Sequence, residues 1–410
     1  MIKSKNINAK WILISFIIFN IISYFYVLIT GKYNGDFLDI KTRLTDTLLF
    51  YNLLLTIIPF LVLYAIYKHY KQFDNKYKVT IQANNFGLFL FFVIVFQIIV
   101  TQLYGVGKLG QEYYTAPNFI KLIIQIFNRF NVVFGISIYS VIVGKKNKFQ
   151  YVLWLLVISL SILRASISIF VIICFIIILI NQETIFKFIK NHLLLILILI
   201  FVAPVLVGTI YNVRNQLREN KNKIEINIEN EKKNTYTEII FGRLVGRLSS
   251  FTNSAIIQER EGKIKELTYY FQPFQYPEEA ISAVYGKFMN QNEIAYKNLL
   301  LESSGFHIRT YTSMNGTQGV LLISHYQSNT IFLINLFTIL LIIILSFEFI
   351  SLLHYEKIKE VVFLFFCFTV FSGGAVEYMQ MLMVIMLYTG LFLFLNSLNT
   401  SNLEVNKKIE

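Results

Sequence analysis

The sequence predicts an all-α, polytopic membrane protein of about ten transmembrane helices with one large outward-facing polar loop. Three observations predict it. The 410 residues are 55% hydrophobic and only 15% charged, with a positive mean hydropathy, which is too apolar for a soluble domain. Apolar runs of the roughly twenty residues needed to cross a bilayer recur along the chain. The formal net charge of +13 is also patterned. Sixteen of the thirty-seven Lys and Arg residues fall in short segments that would share one membrane face, as the positive-inside rule requires. The basic balance is therefore no sign of a nucleic-acid partner.

Taken in order, Lys3, Lys5 and Lys10 precede a first apolar run, 11–30. No small-x-small cleavage site follows it, so it reads as an uncleaved span. Further spans are expected at 48–67, 86–104, 119–143, 192–211, 330–353, 360–373 and 375–397. The run 150–181 is too long for one span and carries Arg164 in Ser159-Leu-Ser-Ile-Leu-Arg-Ala-Ser-Ile-Ser168. A charge at mid-bilayer would cost several kcal/mol, so the run is read as two short helices meeting at a polar turn near Arg164. That choice puts Lys68/Lys71/Lys76/Lys78, Lys145/Lys146/Lys148, Lys187/Lys190, Lys357/Lys359 and Lys407/Lys408 on the side of the N-terminus. Both termini are then inside. The chain divides into an N-terminal bundle of about seven spans over 1–211, a large outward loop with amphipathic helices over 212–329, and a C-terminal bundle of about three spans over 330–410. Cys174 and Cys367 both lie in apolar runs and read as packed side chains.

From Tyr211 to Asn329 the chain carries fourteen Lys/Arg and twelve Glu but no Asp. Arg214 and Arg218 stand four apart, as do Arg243 and Arg247 in Ile239-Ile-Phe-Gly-Arg-Leu-Val-Gly-Arg-Leu-Ser-Ser-Phe-Thr-Asn-Ser254. On a helix Arg243, Arg247, Ser250 and Ser254 would share one polar stripe, beside an apolar stripe of Ile240, Leu244, Leu248, Phe251 and Ala255. Such arginines suit a diphosphate or an anionic sugar, because the guanidinium fork grips phosphate oxygens in a bidentate geometry. The plainer reading is that they snorkel to lipid headgroups. The Lys-, Asn- and Glu-rich centre, 219–234, has the composition of a segment without a packed core. The aromatic run Tyr269-Tyr-Phe-Gln-Pro-Phe-Gln-Tyr-Pro277 fits an interfacial belt or a stacking surface for sugars, the belt being commoner.

No Walker loop, His-Glu-x-x-His or Gly-x-Ser-x-Gly occurs. The four Asp residues, Asp36, Asp39, Asp46 and Asp74, all precede the arginine-rich loop, so any chemistry there is expected to need neither metal nor other cofactor. His307, two residues before Arg309, is a candidate general base on a sugar hydroxyl; a structural histidine fits the same position. Arg129, in Phe127-Asn-Arg-Phe-Asn131, is a cavity candidate because intramembrane arginines generally face a bundle interior. Glu377, after Gly373-Gly374, is a candidate by the same logic.

At this point the chain resembles the bacterial O-antigen and capsule repeat-unit polymerases of the Wzy type, which are related to the O-antigen ligases. The hairpin Ser161-Ile-Leu-Arg-Ala-Ser166 is similar to the family's Ser-Arg turn. The span ending in Arg214 and Arg218, the loop with Arg243 and Arg247-Leu-Ser-Ser-Phe, and the Gly-containing stretch Asn315–Asn329 follow in the family's order. The arginine-to-glycine spacing described for such loops is missed by one residue at Arg309 and Gly319. The resemblance implies a GT-C-like fold in the bacterial inner membrane with both termini cytoplasmic and the loop periplasmic. It implies metal-independent glycosyl transfer between undecaprenyl-diphosphate-linked glycans, within a setting of membrane lipids and with a chain-length regulator as a candidate partner. Arg164, Arg214, Arg218, Arg243 and Arg247 would hold the diphosphate, and His307, Arg309 and Glu377 would serve catalysis. A ligase is the neighbouring alternative, and a lipid-linked oligosaccharide flippase the alternative of a different class.

Overall fold

The computed structural model describes residues 9–37, 40–72, 81–108, 116–144, 147–164, 249–285, 327–353, 355–372 and 374–407, with isolated positions within 172–191 and at 245–246 and 325. Among the described residues the fold is helical, without a ladder of strands; Lys32 and Lys41 form an isolated antiparallel bridge. Five helices are long and apolar enough to cross a membrane, or six if one bent pair is a single span. The expected span 192–211 and most of the second half of 150–181 lie outside the described residues. The chain packs as two compact units.

The first unit comprises residues 9–78 and 237–389. Helix α1 (Ala9–Thr30) ends at Gly31, whose φ of +65° lets the chain turn while its N–H still reaches Val27 O at 2.8 Å. A 3-10 turn over Gly35–Phe37 precedes α2 (Asp46–Gln72), which opens on Asp46 and closes on His69 and Lys71, the charge order that the helix dipole favours. Further along come α7 (Phe251–Glu259), α8 (Glu261–Leu267) and α9 (Gln275–Tyr285), then α10 (Asn329–Ser351) and α11 (Lys357–Ser372). Helix α12 (Ala375–Lys407) gives its residues through Thr389 to this unit and the rest to the other. Ring contacts tie the bundle together. Phe16 stacks on Phe60 at 5.2 Å, Tyr67 meets Phe363 at 4.9 Å and Tyr70 stacks on Phe347 at 5.6 Å. Helix α11 is apolar almost all round and is correspondingly buried on nearly every face. At the far end of α2, Tyr70 Oη donates to Glu348 Oε1 at 2.6 Å, and Lys71 Nζ stands 3.6 Å from Glu360 Oε1.

The second unit comprises residues 79–236 and 390–410, with the first eight residues. Its described helices are α3 (Ala83–Tyr104), α4 (Asn118–Asn128), α5 (Val132–Val143) and α6 (Phe149–Leu163), with the end of α12. Here the structure departs from the sequence reading. The run 119–143, expected as one span, is two helices bent by 44°. Asn131 is the reason: its Oδ1 accepts from Phe134 N at 3.1 Å and starts a new helix where an apolar count sees continuity. Helix α5 is buried along nearly its whole length, and Gly87 of α3 makes room for it: a Cβ there would lie 2.7 Å from the Tyr139 ring. Helix α6 ends at Leu163 with Arg164 as its C-cap, where the sequence places its turn.

Candidate functional site

In the second unit the break between α4 and α5 is built, not frayed. The buried Gln97 of α3 donates from Nε2 to Phe127 O at 3.0 Å and to Phe130 O at 3.2 Å, supplying donors to the carbonyls that α4 leaves open. Within a bilayer such groups have no water to turn to, so an amide and an asparagine cap are what make the break tolerable. Helix α3 ends nearby at Gly105, φ +71°, and the chain turns through Val106 and Gly107. Thr101 Oγ1 donates to Val106 O at 2.9 Å, fixing that turn.

Arg164 lies against this turn. Its Nε donates to Thr101 Oγ1 at 3.4 Å and its Nη2 to Asn128 Oδ1 at 3.5 Å. Gly107 is what admits it: a Cβ there would stand 3.0 Å from Arg164 Nε, and the φ of +74° is one that other residues rarely adopt. Asn128 directly precedes Arg129, which is exposed. The Arg164 side chain is partly buried. Among the described residues its polar partners are one hydroxyl and one amide oxygen, both at the long limit of a hydrogen bond, and no carboxylate. A guanidinium has five N–H donors. Two of the five are used by partners among the described residues.

The other predicted residues fare differently. Glu377 is in the first turn of α12 and folds back over Gly374, where a Cβ would collide with its Oε2. That is where the helix dipole favours a carboxylate, a structural setting that the sequence reading left out. Its Oε2 is buried without a hydrogen-bond partner among the described residues. Arg214, Arg218, Arg243, Arg247, His307 and Arg309 lie outside the described residues. Of the helix read over 239–258, the described part corrects the expected polar stripe. Val245 and Gly246 are helical, the helix is interrupted at Ser249–Ser250 and resumes at Phe251, and Ser250 and Ser254 are buried. For Ser250 the reason is that α1 supplies a polar partner, Asn20.

Those partners form a clasp that sequence reasoning missed. Asn20, deep in α1, accepts at Oδ1 from Ser249 Oγ at 3.0 Å, Ser250 N at 3.1 Å and Ser250 Oγ at 3.3 Å. Asn34 Oδ1 accepts from Ser23 Oγ at 2.9 Å and from Thr252 Oγ1. Asn52 Nδ2 donates to Gln258 Oε1, and Tyr33 Oη donates to Glu259 Oε2 at 2.5 Å. Arg43 N reaches the same carboxylate at 3.2 Å. Burial, then the bond to Glu259, push the Tyr33 hydroxyl well above the ordinary tyrosine range. Gly35 and Gly246 close the clasp backbone to backbone: a Cβ on Gly35 would lie 2.9 Å from Gly246 O. The signal available in the sequence was Asn20 and Ser23, three apart on one face of an otherwise apolar span.

Among the described residues no group of three or more His, Cys, Asp or Glu is placed to hold a metal ion. The class that these helices define is a polytopic helical membrane protein. No family model matches the chain, and no curated protein or solved structure matches it either.

Proposed function

We propose that this protein is a glycosyltransferase of the bacterial inner membrane that joins undecaprenyl-diphosphate-linked oligosaccharide repeat units into a surface polysaccharide at the periplasmic face. Arg164 carries the reading: a partly buried guanidinium, without a carboxylate among its described partners, beside a built break in a membrane helix. In the reaction the bond between the anomeric carbon of the growing glycan and its carrier diphosphate breaks, and the diphosphate leaves with the electron pair. A hydroxyl of the incoming repeat unit forms the new glycosidic bond and gives up its proton to a base, for which His307 is the candidate. Charge develops on the departing diphosphate, and guanidinium groups held in a low-dielectric setting stabilise it without a metal. Arg164, together with Arg214, Arg218, Arg243 and Arg247, serves that purpose. The N- and C-termini are cytoplasmic and the spans number about ten, as the lysine pattern requires.

The test is Arg164→Lys, which keeps the charge and loses the fork. A charged hydrogen bond contributes about 1.5–3 kcal/mol, so losing one from the transition state slows chain growth about ten- to a hundred-fold. With insertion at wild-type level, the surface glycan should collapse toward single repeat units on a gel. A wild-type ladder removes Arg164 from the site. Lipid-linked intermediates trapped on the cytoplasmic face would make the protein a flippase instead.

A further inference from the structure

The aromatic run that follows α8 divides in two. Tyr276 is completely buried, and Gln275, Glu279 and Ala280 are buried beside it on α9. Tyr269, Tyr270 and Phe274 point the other way, 79%, 83% and 60% exposed. These rings are not at the tip of a free loop. Gln327 Nε2 donates to Thr268 O at 3.5 Å, and Gln327 directly precedes Ser328, the N-cap of the spanning helix α10. Helix α9 also packs on α10. The turn that carries Tyr269 and Tyr270 is therefore held at the level where a membrane helix begins. Helix α8 leading into it is anchored by the buried Ile264 and shows Lys263 and Lys265 on its exposed side.

We propose that Tyr269, Tyr270 and Phe274 form a lipid-binding foot, seating residues 261–285 in the headgroup layer of the bilayer. Tyrosine rings at this depth bury their apolar body among acyl chains and keep the hydroxyl wet, and Lys263 meets lipid phosphates while Lys265 pairs with Glu261. A sugar platform fits the geometry less well. The Tyr269 and Tyr270 rings stand at 90° to each other, 5.1 Å apart, so they offer no common flat face for a pyranose to stack on. The inference is independent of the glycosyltransferase reading, since it concerns only where this strip of the chain lies.

The experiment places a fluorescent NBD probe at Tyr270→Cys, and separately at Phe274→Cys, in the full chain with Cys174→Ala and Cys367→Ala. The chain is reconstituted in nanodiscs of phosphatidylethanolamine and phosphatidylglycerol. The probes replace exposed side chains, so the fold is kept, and a melting curve checks it. Blue-shifted emission, quenched by lipid carrying a nitroxide near its headgroup and little by a water-soluble nitroxide, is the expected result. Red emission quenched mainly from water overturns the proposal. So does emission indifferent to labelled lipid that shifts on adding a soluble oligosaccharide, which would make the turn a glycan platform.

Discussion

Where residues 249–259 meet α1 and α2, buried amides meet hydroxyls and a carboxylate, and Asn20 Oδ1 alone accepts from three donors. Where α6 ends, a guanidinium meets one hydroxyl and one amide at the limit of bonding distance. Both places hold polar groups in apolar surroundings, yet they do opposite things. A network in which nearly every member is paired, Asn52 Oδ1 being the one buried atom of this clasp without a partner among the described residues, offsets the desolvation of its groups and fixes geometry. A guanidinium whose partners among the described residues are one hydroxyl and one amide, both distant, gains little stability from them. Polarity inside a membrane protein therefore does not by itself mark a functional site, since a buried asparagine can serve only to tie one segment to another.

The largest effect expected is at the backbone contact. Gly246→Ala would drive a Cβ into Gly35 N, with neighbouring backbone that cannot give way. Such overpacking costs about 1–3 kcal/mol or more, read as a lower melting temperature in detergent and less inserted protein. An unchanged melting curve would mean that residues 245–259 are not clasped to the α1–α2 turn.

Next in size is a direct contrast between the two clusters. Asn20→Ala strands Ser249 Oγ and the Ser250 N–H and is expected to lose about 1–3 kcal/mol. Arg164→Met removes a charge with weak partners and is expected to change stability by less than about 1 kcal/mol while abolishing polymer formation. If Arg164→Met melts as badly as Asn20→Ala, Arg164 is a structural residue and the contrast fails.

Tyr33 gives a smaller, pH-dependent effect. Its folded-state pKa is raised, so the tyrosine hydroxyl stays protonated when the unfolded chain would lose it, above the ordinary value of about 10. Its contribution is fully present below that pH and is lost as pH rises toward the folded value. Tyr33→Phe should cost about 0.5–1.5 kcal/mol near neutral pH. The gap between variant and wild type should narrow in melting curves taken above about pH 10; a constant gap would mean that the hydroxyl is not held by Glu259.

The smallest effect belongs to Arg43, whose side chain is 88% exposed and 3.9 Å from Glu259. Arg43→Ala should change stability by at most about 0.5 kcal/mol and lose even that in high salt, since its backbone N–H still reaches the carboxylate.

Helix α10 shows what was readable in advance: a run expected at 330–353 is observed at Asn329–Ser351, because hydropathy over some twenty residues is a local property. The turn at Arg164 was readable for a related reason, since a charge in an apolar run must sit where a helix stops. The bend at Arg129–Asn131 was not, because Asn131 as a cap looks the same on paper as Asn20 inside a helix. What separates them is which neighbour takes up their hydrogen bonds, Phe134 N in one case and Ser249 and Ser250 in the other.

By itself the sequence determined the class of protein, the positions of the long spans, and that Arg129 and Arg164 are out of place in apolar runs. Only the tertiary structure decided that Arg164 reaches Asn128, the residue before Arg129. It alone decided that Ser250 meets Asn20, that Ser254 is buried, and that Gly35 rests on Gly246. The physical reason is range. Hydropathy and charge act on each segment where it stands, whereas a hydrogen bond or a backbone contact joins residues that may be more than two hundred positions apart, as Asn20 and Ser249 are, and no local pattern records the partner.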